Sequence, residues 1–194
     1  CPGFEEDRAR ELIKFGNDVR VWQESESPYQ VIAGIVKDRG VKHRRIGVEE
    51  RVRFFVANGI AREASGLDVV DATPVTAGCR MYKSKAEIAL LQHANTVTIT
   101  AYQSALPTMR EGMPQDELER NITAAFTALG WGGAISAQFG KWTALPHGSS
   151  TPQKLREGDI VMIDDGVSVH GYQSDITRTT VFGKPTQRQV DVWT

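Results

Sequence analysis

Two aspartates near the end of this chain point most directly to chemistry. Asp164 closes the apolar run DIVMID, and Asp175 stands just before ITRTTVF, so a strand, a turn and a returning strand would bring them side by side. Two neighbouring carboxylates repel each other, and one takes up a proton unless a cation neutralises both. Carboxylate oxygens suit Mg²⁺, Mn²⁺ or Ca²⁺, and sites that also contain histidine suit Mn²⁺, Fe²⁺, Co²⁺ or Zn²⁺. The structural alternative is a turn aspartate and an aspartate that caps a strand or hairpin.

The elements that must position these aspartates are antiparallel strands. Three runs rich in apolar and β-branched residues predict them: 159–164, 167–172 and 176–182. Asp165-Gly166 is a dipeptide typical of tight hairpins, so Asp165 is expected to be a turn residue. Asp175 is expected to begin the last strand. Thr177 would then lie on the same face as Asp175, because side chains alternate along a strand.

Two helices are predicted ahead of these strands. Ser84 and Glu87 have the spacing of a capping box, and the helix that follows is expected over 85–105. A second helix is expected over 114–129, ending at Gly130. Helices followed by antiparallel strands predict an α+β domain.

The first part of the chain alternates between strand and helix patterns over 19–71, beginning with a strand at 19–22. This alternation predicts an α/β domain. No strand-to-helix turn has the GxGxxG or GxxxxGK[ST] pattern, so the sequence gives no signal for nucleotide phosphates. The segment 72–84 mixes Pro, Gly, Thr and Ser. We therefore expect a domain boundary near residue 76, with domains over 1–76 and 77–194.

Composition excludes several classes of function. The 194 residues carry a net charge of −1 at pH 7, so no overall field attracts nucleic acid or anionic lipid. No apolar run approaches the length of a membrane span, and we expect a cytoplasmic protein. Cys1 and Cys79 have neither the number for a disulfide framework nor the spacing of a zinc site. The chain lacks an initiator Met and stops as a new pattern begins, so we expect a piece of a longer polypeptide.

The stretch IDDGVSVHGYQSDITRT (163–179) resembles the signature of the M24 metallopeptidases. The upstream Pro-His-Gly and the Gly-Asp before the strand match as well. This family includes proline dipeptidase, aminopeptidase P, methionine aminopeptidase and the metal-free creatinase. The resemblance implies that 77–194 is the first half of an α+β "pita-bread" catalytic domain. It also implies that 1–76 is the latter part of the creatinase/prolidase-type N-terminal domain.

The resemblance implies a role for five residues of this chain. Asp164 matches the ligand of one metal ion, and Asp175 matches the carboxylate that bridges two. His147, in the Pro-His-Gly motif, matches a catalytic histidine that contacts the scissile carbonyl or the intermediate. Thr177 is expected to orient a carboxylate from outside the metal shell, and Tyr172 is expected beside the site. Asp165 matches no ligand.

The implied activity is that of a metal-dependent exopeptidase that hydrolyses the Xaa-Pro bond of dipeptides or peptide N-termini through a metal-bridging hydroxide. Its two divalent metal ions would be Mn, Co, Zn or Fe, and its partners a proline-containing peptide and a second copy in a homodimer. The family completes its centre with one His and two Glu that this chain does not contain, so activity is assigned to the longer polypeptide. The alternatives are a creatinase-like or other small-molecule hydrolase or lyase, and a catalytically inactive binding module. Aspartates at both ligand positions favour the metal-dependent branch over creatinase.

Overall fold

The computed structural model describes residues 1–41, 45–64 and 66–194, and only the backbone of Asp165. The chain divides into two compact units, Cys1–Tyr82 and Lys83–Thr194. The first unit contains α1 (Glu6–Leu12), α2 (Pro28–Asp38), β1 (Arg45–Val48), α3 (Phe54–Glu63), β2 (Asp68–Asp71) and α4 (Thr73–Met81). The second contains α5 (Lys85–Ala105), α6 (Gln115–Ala128), β3 (Gly133–Phe139), β4 (Ile160–Val169), β5 (Tyr172–Gln173), β6 (Arg178–Val181) and α7 (Gln187–Trp193).

In the first unit, β1 and β2 pair in parallel and are connected through α3, as the alternating pattern predicts. The strand predicted at 19–22 is wrong, because Trp22 forms only an isolated bridge to Pro2. The residues after Pro2 turn at once into a 3-10 helix, Gly3–Glu5, so the pairing cannot continue.

The segment 72–84 contains a helix that its composition did not suggest. Pro74 stands in the first turn of α4, where a missing N–H costs no hydrogen bond. The Asp71 carboxylate accepts the Thr73 N–H at the start of this helix. The boundary expected near residue 76 falls inside α4.

In the second unit, α5 and α6 pack against an antiparallel sheet. The central strand β4 pairs with β3 along one edge and with β6 and β5 along the other. Helix α5 begins with the predicted capping box between Ser84 and Glu87. Large side chains from both helices and the sheet fill the core: Tyr102, Leu118, Ile122, Phe126, Phe139, Leu155, Val161, Ile163, Val167 and Val169.

The hairpin predicted at Asp165-Gly166 is wrong. Both residues lie inside β4, whose pairing with β3 extends from Val161 to Val167 and keeps the strand extended. The reversal comes at His170-Gly171, with positive φ angles of 49° and 87° at the two residues. These angles are those of a type I′ turn, in which His takes the place that Asn or Asp usually fills.

None of the helices in the described part of the chain has both the length and the apolar content that crossing a membrane requires.

Candidate metal centre

Asp164 lies in β4, paired with β3 and one residue past the end of the pairing with β6. It is directly opposite Ser136 of β3 and is half-buried. On the other side, β6 begins at Arg178, which pairs with Ile163. The residue before it, Thr177, donates a hydrogen bond from its hydroxyl to Asp164 Oδ1, with 2.5 Å between the oxygens. The sequence places Thr177 on the same face as Asp175, and in the structure its hydroxyl bonds to Asp164. Its role in orienting a metal ligand stays a prediction.

Asp175 lies in the short segment between β5 and β6, and not at the start of a strand as expected. Exposure alternates along this segment: Ser174 is buried, Asp175 exposed, Ile176 half-buried and Thr177 exposed. Side chains at alternate positions of such a chain point to the same side. Asp175 therefore shares the outward side with Thr177, whose hydroxyl reaches Asp164.

Gly166 allows this segment to approach β4 closely. A Cβ at this position would lie 2.4 Å from both the carbonyl oxygen and the hydroxyl of Ser174. The Ser174 amide donates to the Val167 carbonyl at 3.0 Å, and the Val167 amide donates to the Ser174 hydroxyl at 2.9 Å. The glycine of the Asp-Gly pair thus serves a close backbone approach and not a turn.

The two carboxylates have the chemistry of a cation site. Among the described residues, neither Asp164 nor Asp175 forms an ion pair with a Lys, Arg or His side chain. Thr177 occupies one oxygen of Asp164 and leaves the other open. Oxygen ligands of this type suit hard or borderline divalent cations. In the described part of the chain, no group of three or more His, Cys, Asp or Glu side chains could hold a metal ion.

His147 is exposed in a turn after the 3-10 helix Gly140–Ala144, and this turn is held against the sheet. The Ser149 amide donates to Gln138 Oε1 at 3.0 Å. Gly148 has a φ of 69°, and a Cβ there would lie 2.4 Å from Gln138 Nε2. Gln138 is two residues after Ser136, the residue opposite Asp164, so the turn is anchored on the sheet face that carries Asp164. Among the described residues, no hydrogen bond or ion pair involves the His147 side chain.

A pair of buried amides makes this anchor, and the sequence analysis missed it. Gln153 Oε1 accepts the Phe139 amide at 2.7 Å, and Gln153 Nε2 donates to Gln138 Oε1 at 2.7 Å. Gln138 is 3% exposed and Gln153 is 5% exposed. The sequence gives little signal for Gln138, because a polar residue between Ala137 and Phe139 fits the ordinary alternation of a strand with one apolar face.

The hydrogen-bond partner of Tyr172 is neither Asp164 nor Asp175 but Glu87. Its hydroxyl donates to Glu87 Oε1 at 2.9 Å and so links β5 to the first turn of α5. The pKa of Glu87 is lowered by the Ser84 backbone N–H, by the Ser84 side chain and by this hydroxyl. The pKa of Tyr172 is raised, first because its hydroxyl proton is shared with Glu87.

His93 and His170 are both exposed. Their rings stand edge-on to the Trp131 ring, with centroids 5.9 Å and 6.0 Å from it.

Comparison with protein families matches both units of the chain. The model described as Metallopeptidase family M24 matches residues 89–194, and the one described as Creatinase/Prolidase N-terminal domain matches residues 1–82. The chain belongs to metallopeptidase family M24. Its fold is the predicted one, an α/β N-terminal domain followed by α+β structure of the pita-bread type.

Individual M24 relatives match the whole chain. An uncharacterized peptidase of Schizosaccharomyces pombe is 31% identical, over 99% of this chain and 42% of that protein. The Xaa-Pro dipeptidase of Pyrococcus horikoshii is 25% identical, over 99% of this chain and 53% of that protein. The crystal structure of the dipeptidase PepE of Mycobacterium ulcerans is 26% identical with a TM-score of 0.87, over 98% of this chain and 52% of that one. The chain spans about half the length of the curated relatives it matches.

Proposed function

We propose that the protein containing this chain is a metal-dependent exopeptidase that hydrolyses the peptide bond before proline, in dipeptides or at peptide N-termini. The observation that carries the proposal is the hydrogen bond from Thr177, two residues after Asp175, to Asp164 in a chain of the M24 family. The name of the Pyrococcus horikoshii relative, an Xaa-Pro dipeptidase, supports the choice of substrate.

Asp164 and Asp175 are the residues of this chain that would hold divalent metal ions. When bound, such ions lower the pKa of water and polarise the scissile carbonyl. Two carboxylates without a protein cation fit this role, because a cation would remove their mutual repulsion. We propose two ions, of Mn, Co, Zn or Fe. The remaining ligands, one His and two Glu, would come from outside these 194 residues.

In this proposal Thr177 orients a metal ligand, and His147 stabilises negative charge on the substrate. Thr177 fixes one oxygen of Asp164 by donating its hydroxyl proton, which directs the other oxygen to the open side. His147, exposed and held by its turn on the same sheet face, would donate a hydrogen bond to the carbonyl oxygen as negative charge develops there. Its ring is accessible to a substrate because no described side chain bonds to it.

The homodimer and the cytoplasmic location stay predictions. Light scattering of the purified protein at several concentrations tests the first, and fractionation of cells tests the second.

Substrate choice is tested with the intact protein supplied with Mn²⁺ or Co²⁺. The panel contains Xaa-Pro dipeptides, longer peptides with proline in second position, the matching Xaa-Ala peptides and small amides. We expect hydrolysis before proline only, with loss in Asp175→Asn and a lower kcat in His147→Ala. The relative rates on dipeptides and longer peptides separate dipeptidase from aminopeptidase. Turnover of small amides without turnover of any Xaa-Pro peptide would replace the peptidase proposal, and a metal-free protein without turnover would indicate a binding module.

A further inference from the structure

We infer that two hydroxyls of helix α5, those of Thr98 and Tyr102, position Asp175 as a metal ligand by holding the residues on either side of it. The inference rests on the proposed role of Asp175 in metal binding. It concerns α5, a helix that supplies no ligand itself.

The first contact holds the residue before Asp175. Thr98 Oγ1 lies 2.7 Å from Ser174 Oγ, and either hydroxyl can donate in this bond. Ser174 Oγ also accepts the Val167 amide at 2.9 Å and lies 3.2 Å from the Val167 carbonyl, to which it can donate. Ser174 is 2% exposed and Thr98 is fully buried. A serine held by a helix and a strand at once has little freedom to rotate.

The second contact holds the residue after Asp175. The Tyr102 hydroxyl donates to the Ile176 carbonyl at 3.0 Å. Tyr102 is four residues after Thr98, so both hydroxyls project from one face of α5. Their partners, Ser174 and Ile176, are the two neighbours of Asp175.

Asp175 itself has no such support. Its side chain is exposed, and among the described residues it forms no hydrogen bond or ion pair. The direction of its carboxylate therefore depends on the backbone that carries it. That backbone is tied to α5, a 21-residue helix with a capping box and a buried face.

Core stability alone does not explain these hydroxyls. Thr98 and Tyr102 lie among apolar residues such as Ala94, Val97 and Ala101. Valine and phenylalanine would fill almost the same space there without a polar atom, and burying a hydroxyl is favourable only when it is bonded. Each hydroxyl here bonds to a residue that flanks Asp175. Groups that orient a metal ligand from outside typically change metal affinity about 10–100-fold when removed.

The test uses the metal-free form of the protein that contains this chain, and Mn²⁺ alone. Paramagnetic broadening of backbone amide NMR signals during a Mn²⁺ titration gives the affinity at Asp164 and Asp175 without any activity assay. The variants are Thr98→Val, Tyr102→Phe and the two combined. A further variant, Thr98→Ser, keeps the hydroxyl. Thr100→Val is the matched control, because Thr100 Oγ1 bonds only to the Thr96 carbonyl of its own helix, at 2.8 Å. Asp175→Asn removes the proposed ligand.

We expect Mn²⁺ affinity to fall about 10–100-fold in the double variant and less in each single one. Thr98→Ser and Thr100→Val should bind within about twofold of the original chain, a change well below that range. In the metal-free chain, the ¹⁵N order parameter of Asp175 should fall from about 0.85 toward 0.6 in the double variant only. Together these results would support a positioning role. Thr98→Ser keeps the hydroxyl but removes a buried methyl group, so a general loss of stability would lower Mn²⁺ affinity in that variant too.

Two results would overturn the inference. They differ in whether the proposed metal site also fails. If the double variant binds Mn²⁺ as the original chain does while Asp175→Asn does not bind, α5 has no positioning role and the proposed metal site survives. If Mn²⁺ broadens no signal near Asp164 or Asp175 in the original chain, the proposed ligand role fails and the inference fails with it.

Discussion

The Thr177 hydroxyl and Asp164 Oδ1 are 2.5 Å apart, which joins the last residue before β6 to the centre of β4. This bond crosses from one strand region to the next and fixes one of the two oxygens of Asp164. The other oxygen, and the carboxylate of Asp175 on the same side, remain open to a cation. A hydroxyl outside the metal shell thus sets the orientation of a proposed ligand.

Replacing Thr177 should weaken metal binding without unfolding the chain. Thr177→Val keeps the shape and removes the donor, and we expect Mn²⁺ affinity to fall about 10–100-fold. The titration described for Asp175 measures it. Thr177→Ser, which retains the hydroxyl, should bind like the original chain. Equal affinity in the valine and serine variants would show that the bond does not orient the ligand.

A methyl group at Gly166 should disrupt the same region through packing. In Gly166→Ala the new Cβ would lie 2.4 Å from the Ser174 carbonyl oxygen, a backbone atom that cannot rotate away. We expect a loss of about 1–3 kcal/mol in the free energy of unfolding, the usual range for overpacking. Denaturant unfolding measures it. The matched control is Gly132→Ala, where no atom lies within 4 Å of the added Cβ, and it should change stability by less than about 0.5 kcal/mol. Similar losses in both variants would contradict the steric explanation.

The pattern around Gly166 shows where local sequence signals mislead. Asp165-Gly166 has the composition of a hairpin turn. The pairing of β3 with β4, from Gly133 to Phe139, nevertheless keeps both residues in an extended strand. The real turn, His170-Gly171, uses a residue that is less common at positive φ. A rule based on neighbouring residues cannot predict this pairing, because the partners of Asp165 and Gly166 are Ile135 and Ala134, at least thirty residues earlier in the chain.

The buried amides beneath the His147 turn should contribute to stability. Gln153→Ala leaves the Phe139 amide without its acceptor and removes one of the two donors to Gln138 Oε1. An unsatisfied buried polar group costs about 1–3 kcal/mol, so we expect a loss of that size in thermal or denaturant unfolding. Gln92→Ala, at an exposed position of α5, should change stability by less than about 0.5 kcal/mol. Equal stability of the two variants would mean that water replaces the amide without cost.

Stability should depend on pH through Glu87. Its folded pKa is lowered from the usual 4.5, first by the Ser84 backbone N–H, then by the Ser84 side chain and by the Tyr172 hydroxyl. A lowered pKa contributes stability above the unfolded value, and this contribution is lost as pH falls through the folded value. The chain should therefore be more stable than Glu87→Gln near neutral pH, and the difference should disappear in acid, once the pH is below the folded pKa of Glu87.

Melting temperatures at the two pH values measure this difference. In Tyr172→Phe, which lacks the hydroxyl bond to Glu87, the folded pKa of Glu87 is lowered less, so the acid loss of stability should be smaller and should end at a higher pH. A difference between the chain and Glu87→Gln that is the same at both pH values would contradict the assignment to this carboxylate.

Elements with strong local signals were predictable, and contacts between distant residues were not. The capping box at Ser84 and Glu87 and the Gly130 stop are local, and the helices α5 and α6 are where they were expected. The motif at 163–179 pointed to the site aspartates. Thr98 and Tyr102 fall inside the helix predicted over 85–105, but no local pattern reveals their partners at 174–176, which are more than seventy residues away. The hydrogen bond between Gln138 and Gln153 likewise exists only in the folded chain and has no signal in the sequence.

The measurement that tests the central claim most directly is divalent-metal content by mass spectrometry. It is made on a protein that contains this chain, and on its Asp164→Ala and Asp175→Ala variants. We predict about two metal ions per chain, the number of a two-metal hydrolytic site, and loss of metal in both variants. A correctly folded protein that contains no metal, or one that keeps its metal in both variants, would contradict the proposed metal centre.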